Sequence, residues 1–438
     1  MAFTKILPAG ISTTGTVTLE RLETTNSIVS LGSTNQLYIN TDTPTVRPTL
    51  DLNFERDQRL DSRITFSRDS TATYLGSDGL IKTAQPNIPR FEFDTDGNCL
   101  GLLIEESRTN LITYSEDFNN VVWIKNVNLS SVPDSPNNTN SYLVIPTGSN
   151  TTYYLNYNTT TSNSAASLSI YAKAGGYDKL LLWSNQGGGY GFNLSTGQTF
   201  SVGNITDSLG ASIESVGNGW YRCSITVSSF SRYNPYILNS ETYETWTPDG
   251  TSGIYLWGAQ LEVGSFPTSY IPTSGSAVTR SADFAKITGT NFTDFYNQTE
   301  GTIFFRYKNL SLDTSTIRGV WGLENSSAPV SGVRSPQSGS LRIRLLYNNN
   351  FSPAASNLFF ISTDYQNGIV SYNQTENRLM MNGTSDFVSA THTNDNDIIA
   401  MSIGSRTTNG DSPLGGHISH LTYYPQRLSN AQLQNLTS

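Results

Sequence analysis

The sequence predicts an all-β protein, with two β-sandwich, jelly-roll-like domains behind a short extended N-terminal anchor. Three observations predict it. Thr, Val, Ile and Tyr, which suit a pleated half-buried surface, are abundant, whereas the residues that build long helices are sparse. Short segments alternate apolar and polar side chains at period two. Pairs such as Asn218-Gly219 and Asn382-Gly383, which accept the left-handed backbone of tight hairpins, punctuate those segments. At 438 residues the chain is too long for one ordinary core. With 36% hydrophobic and 11% aromatic residues it can still bury real cores.

Four segments follow in order. Residues 1–48 read as an anchor or stalk, thin and interrupted by Gly, Ser and Thr, with loose alternation at Thr16–Leu19 and Gln36–Ile39. Such a segment has no core of its own and is expected to pair with other copies or to lie on another surface. Its end, Thr41 to Pro48, reads as a stiff extended linker. Residues 49–111 read as a connecting β segment, with alternation at Leu50–Phe54 and Arg63–Ser67 and turns at Ser77–Gly79 and Asp96-Gly97. Residues 112–280 read as a jelly roll. In it Leu168 and Ile170 share one face, Tyr221, Cys223, Ile225 and Val227 another, and Tyr255, Trp257, Ala259, Leu261 and Val263 a third. Residues 281–438 read as a second sandwich, with strands at 302–307, 341–347, 357–362, 378–381, 397–403 and 417–424. One helix follows, capped by Ser429 with Gln432 three residues on.

The net charge of −9, with no basic stripe, argues against a nucleic-acid partner. No stretch approaches the ~20 apolar residues of a membrane span, so no membrane insertion is expected. Met1–Gly15 lacks the apolar core of a signal peptide. Cys99 and Cys223, far apart and without a CxxC, read as free thiols.

Catalytic patterns are weak. Glu105 and Glu106 are neighbours on a strand and should point to opposite faces, which does not suit a glycosidase pair; pairing with Arg108 or Arg63 is the structural alternative. His417 and His420, three apart on a strand, should also face opposite sides, a poor arrangement for a metal. The run Gly187–Gly191 reads as a hairpin tip and not a phosphate loop. Asn394–Asp397 offers oxygen ligands for Ca²⁺ through Asp395 and Asp397, although a plain polar turn is favoured and no cofactor is required. Sugar sites combine aromatic faces with amides and carboxylates. Trp183, Tyr190, Tyr243 and Trp246, near Asn185, Gln186 and Glu244, are the carbohydrate-binding candidates, with core or interface packing an equal alternative. Trp123, Trp220 and Trp257 read as core.

Three ordered stretches carry a resemblance: Leu50–Phe54, Ser62–Tyr74 and Gly101–Leu111 with Tyr114–Phe118. Together with Leu256–Gly264, Thr268–Thr273 and Thr279–Asp283 they resemble a block of tailed-bacteriophage head-spike and fibre proteins. That resemblance implies a jelly roll similar to carbohydrate-binding modules. Gly416–Ser429 resembles the last strand and trailing helix of concanavalin-like, laminin-G-like domains, and the N-terminus resembles the start of structural proteins of marine tailed phages. The expected function is a non-enzymatic fibre or spike of the virion, assembled in the host cytoplasm. It would be a homo-oligomer, expected to be a trimer, held by other virion proteins through its N-terminal segment and adhering to host cell-surface glycans. A polysaccharide-degrading tailspike and a free glycan-binding lectin are the alternatives.

Overall fold

The computed structural model describes residues 44–148, 152–183, 188–205, 208–311, 318–325, 329–334, 344–347, 350–351, 362–383, 385–389 and 397–438, and the backbone strands 22–24, 27–31 and 37–39. The fold is all-β, with antiparallel sheets and three short helices among the described residues. The last helix, Asn430–Thr437, carries the expected capping box: Ser429 Oγ accepts from Gln432 N, and Ser429 N donates to the Gln432 side chain. Both Asn-Gly turns take the left-handed backbone expected of them (φ 53° and 78° at Asn218 and Gly219, 47° and 67° at Asn382 and Gly383).

Two six-stranded sheets pack face to face as the jelly roll. The first runs, in spatial order, Trp123–Lys125, Tyr153–Ser162, Phe230–Leu238, Lys179–Trp183, Gly188–Asn193 and Gln198–Gly203. The second runs Val127–Val132, Ser141–Pro146, Gly253–Val263, Ala166–Gly175, Trp220–Val227 and Ser208–Gly217. The core between them holds Trp123, Leu168, Ile170, Cys223, Ile225 and Val227 on the expected faces. Cys223 is fully buried and, like Cys99, free. Burial pushes its thiol well above the ordinary range, so alkylation of the folded protein should leave Cys223 unlabelled, read by mass spectrometry.

One face differs from expectation. Ala259 and Leu261 lie in that core, but Trp257 packs on the opposite side of the sheet with Tyr171, Trp220 and Tyr270. The cause is a β-bulge: between the pairs Ser169–Gln260 and Tyr171–Trp257 the strand carries an extra residue, and Gly258 takes φ 62°. A bulge reverses which side successive residues face, and the left-handed residue in it favours glycine. The Gly-rich run also differs: Gly188–Asn193 is a strand paired on both sides. Gly191 leaves room for the Phe200 ring, which a Cβ there would meet at 2.1 Å.

Residues 49–111 do not stand apart as a connector. Leu50–Asn53 and Cys99–Ile104 both pair with the long strand Gly416–Tyr424, and Thr65–Ser67 pairs with Phe284–Thr288. The C-terminal sandwich, one sheet of seven strands and one of eight, is therefore built from both ends of the chain, with the jelly roll inserted between them. Its core mixes Leu50, Leu52, Phe54, Leu102 and Ile104 with Ile303, Trp321, Leu421 and Tyr423. Of the expected strands, Gly301–Asn309, Asn377–Met381 and Gly416–Tyr424 are present as anticipated. Arg344–Tyr347 is the described part of the expected 341–347 strand, the expected 397–403 strand begins only at Ala400 and runs to Ile403, and residues 357–361 lie outside the described residues. In the anchor, the three strands Leu22–Thr24, Ser27–Leu31 and Leu37–Ile39 pair with one another, so this segment does supply a small sheet of its own. Thr16–Leu19 lies outside the described residues.

The junction of the two sandwiches is a buried charge network. Arg68, Arg90, Arg280, Glu105 and Asp283 all have side chains at 0% exposure. Arg90 bridges Glu105 (2.8 Å) and Asp283 (2.5 Å), and Arg68 holds the second Asp283 oxygen at 3.0 Å. Ser269, at the end of the jelly roll, donates to Glu105 through both N and Oγ. Asn110 is buried alongside, its amide donating to the Ala259 and Ile271 carbonyls and its oxygen accepting from Leu261 N and Ile112 N.

Candidate functional site

The outward face of the first jelly-roll sheet gathers aromatic rings. On an antiparallel sheet, residues directly opposite share a face. Trp183 is opposite Asn234, and Leu181 is opposite Tyr236, which is opposite Tyr154. Leu180, Leu182 and Tyr233 point into the core, so Trp183, Asn234, Tyr236 and Tyr154 point out. Ring centroids lie 5.8 Å apart for Trp183–Tyr236 and 5.6 Å for Tyr154–Tyr236. Tyr243, from the loop after this strand, lies over Trp183 at 4.9 Å and is 41% exposed. Burial raises the Tyr236 and Tyr243 phenols above their ordinary range, so both keep their protons at neutral pH.

Trp246 explains why that loop folds back. Its ring packs edge-on against Tyr153 (5.0 Å) and Tyr177 (4.7 Å), and its carbonyl accepts from the Tyr153 hydroxyl at 3.3 Å. Asp249 closes the loop by accepting from Thr251 N, Ser252 N and Ser252 Oγ. Trp246 is therefore a core-sealing residue, and two of the four carbohydrate-binding candidates come together, Trp183 and Tyr243. Tyr190 belongs elsewhere: it pairs with Leu182 and packs against the inner core. Tyr154 and Tyr236 were not anticipated. Their outward positions at period two, beside Asn156 and Asn234, were the available signal.

Amides flank the rings. Asn234 is 2% exposed and its Oδ1 has no hydrogen-bond partner among the described residues; the same is true of Asn156 Oδ1. Asn156 Nδ2 donates to Asn158 Oδ1 at 3.0 Å. Arg232 sits opposite Asn158 on the same face. Asn185 and Gln186 lie outside the described residues, and the Glu244 carboxylate accepts from the Thr242 hydroxyl.

The other candidates resolve differently. Glu105 is locked in the junction, while Glu106 pairs with Arg108 at 2.8 Å as anticipated; Arg63 pairs with Asp61. His417 and His420 share the outward face of their strand, contrary to expectation. An extra residue, Ser419, sits between the pairs Arg306–His420 and Tyr307–Ile418 and makes a bulge. They nonetheless have separate partners, His417 with Glu92 and His420 with Asp51, each at 2.8 Å. Asp397 is exposed in a turn, Asp395 lies outside the described residues, and no cluster of three metal-ligating side chains occurs among the described residues.

No protein-family model matches the chain, and no curated protein does. Some solved structures are similar to parts of the chain. The CBM40 of the Ruminococcus gnavus IT-sialidase bound to α2,6-sialyllactose is 14% identical at TM-score 0.28, over 34% of this chain and 88% of that one. Domain 4 of a GH43 extracellular arabinanase from Geobacillus stearothermophilus, in complex with arabinotriose, is 12% identical at TM-score 0.29, over 39% of this chain and 82% of that one. The Trypanosoma rangeli sialidase is 10% identical at TM-score 0.29, and the match spans 70% of this chain and 62% of that one. At these scores and identities the likenesses carry no inference about ligand or activity.

Proposed function

We propose that the jelly roll binds cell-surface glycans through its outward aromatic face, on a chain that serves as a non-enzymatic fibre or spike of a tailed-phage virion. The observation that carries the glycan reading is the partly exposed Trp183–Tyr236–Tyr243 cluster on the outward face of the sheet. Aromatic faces take the apolar side of a sugar ring. The virion reading rests on the resemblance of the 50–118 and 256–283 stretches to phage spike proteins; here those residues build the junction that joins the two sandwiches. Glu105, in that junction, is paired with two arginines and has no room to act as an acid.

Weak single-site contact is amplified when several heads engage one surface, so the proposed assembly is a trimer anchored by residues 1–48. Trp183→Ala and Tyr243→Ala should each weaken adhesion to host cells at least tenfold with the unfolding midpoint unchanged, because buried aromatic anchors dominate binding. Trp246→Ala should lower the midpoint. Equal adhesion of wild type and both platform variants overturns the site. Light scattering should show a trimer for the full chain, and deletion of residues 1–48 should abolish incorporation into particles. Reducing ends released from host polysaccharide by the purified protein would refute the non-enzymatic reading.

A further inference from the structure

A cleft of about 750 Å³ opens between the second jelly-roll sheet and the C-terminal sandwich, on the opposite side of the jelly roll from the aromatic face. That volume falls within the range of small-ligand sites. Its jelly-roll wall is the outward row of two paired strands, Ser212 and Glu214 opposite Ser224 and Arg222. Its other wall carries Glu92, Asp94, Lys308, Asp364 and His417, and Tyr74, Phe93 and Leu209 supply apolar surface.

Two buried side chains lining the cleft keep an unpaired polar atom. His417 is 1% exposed; its Nε2 hydrogen-bonds Glu92 at 2.8 Å, and its Nδ1 has no partner among the described residues. Asn309 is 0% exposed; its amide donates to the Ser362 carbonyl at 3.3 Å, and its Oδ1 has no partner among the described residues. Buried unpaired polar atoms of this kind call for a partner. Arg222 adds a donor: its Nη2 is engaged with Ser169 Oγ and the Thr268 carbonyl, but its buried Nε has no partner among the described residues. Glu92, Asp94, Glu214 and Asp364 outnumber Lys308 and Arg222 in the lining, which disfavours an anion. A ligand here brings both donors and acceptors and no negative charge, as the hydroxyls of a neutral sugar do. We infer that the cleft is a second saccharide site, selective for uncharged sugar chains, independent of the Trp183 face.

The test uses the full chain carrying Trp183→Ala and Tyr243→Ala, which removes the aromatic face. Cellohexaose and mannohexaose are titrated by calorimetry, with hexagalacturonate as the acidic counterpart, and the His417 imidazole signal is followed by NMR. At least one neutral hexasaccharide should bind saturably and move the His417 signal, and hexagalacturonate should bind at least tenfold more weakly. Ser212→Trp, at a partly exposed position on the edge strand, should cut that binding at least tenfold; in the event that it unfolds the protein, the His417 signal remains the readout. Absence of neutral binding, a His417 signal that does not move, or equal binding of hexagalacturonate overturns the inference. Because the background already lacks the aromatic face, failure of that face as a glycan site leaves this result unaffected.

Discussion

Asp283→Ala should destabilise the protein by about 3–5 kcal/mol, the cost of removing one partner from a buried ion network. Asp283 accepts from Arg68 and Arg90 and from the backbone N–H of Glu105, so the substitution leaves three guanidinium groups, those of Arg68, Arg90 and Arg280, buried beside the single remaining carboxylate of Glu105. Denaturant unfolding of the full chain measures it. Because the network joins strands of the C-terminal sandwich to the 269–283 exit of the jelly roll, both sandwiches should lose stability together. Acid should mimic part of the effect. Burial alone would raise the Glu105 carboxyl, but Arg280 and Arg90 overcome it and hold Glu105 far below its ordinary value. A carboxyl depressed by folding contributes stability that is complete above its unfolded value and is lost as pH falls toward its folded one. Stability should therefore decline progressively below about pH 4.3, the ordinary glutamate value, and Glu105→Gln should flatten that decline. An unchanged midpoint for Asp283→Ala would show that the network is not a structural clamp.

Trp257→Ala should cost about 3–5 kcal/mol, as expected for a large aromatic removed from a packed site. Trp257 is fully buried against Tyr270 (4.5 Å) and Tyr171 (5.2 Å) on the junction side of the second jelly-roll sheet. The half-buried Ile81, from the 72–84 hairpin, packs against the same cluster. Truncation therefore opens a cavity and also loosens that hairpin, which should show as raised hydrogen exchange at 72–84. Trp257→Phe should recover most of the loss. A Trp257→Ala protein with an unchanged midpoint would mean the ring is not a packing element.

The sequence was informative wherever local chemistry decides the structure. The two Asn-Gly turns, the Ser429 cap and the apolar face of Cys223, Ile225 and Val227 follow from neighbours within a few residues. Bulges were not legible, because one inserted residue flips a face without changing composition; Gly258 separates Trp257 from Ala259 in this way, and Ser419 brings His417 and His420 to one side. The partner of Leu50–Asn53 was not legible either. Its alternation is plain, but its neighbour in the sheet, reached for example from Asp51 to Thr422, lies 371 residues away. Of the glycan candidates, Trp183 and Tyr243 converge, whereas Tyr190 and Trp246 turn inward. Tyr154 and Tyr236 alternate outward within their own strands, but which rings they meet is set by the strand pairing.

The most direct test of the glycan-binding face is ¹⁹F NMR of the full chain labelled with 5-fluorotryptophan, titrated with surface polysaccharide purified from bacterial cells to which the purified protein adheres. The six tryptophans give six signals. The Trp183 signal should shift saturably, while those of the buried Trp123, Trp220, Trp257 and Trp321 stay in place. A polysaccharide that binds without moving the Trp183 signal, or that moves the buried tryptophans instead, would contradict the assignment of this face.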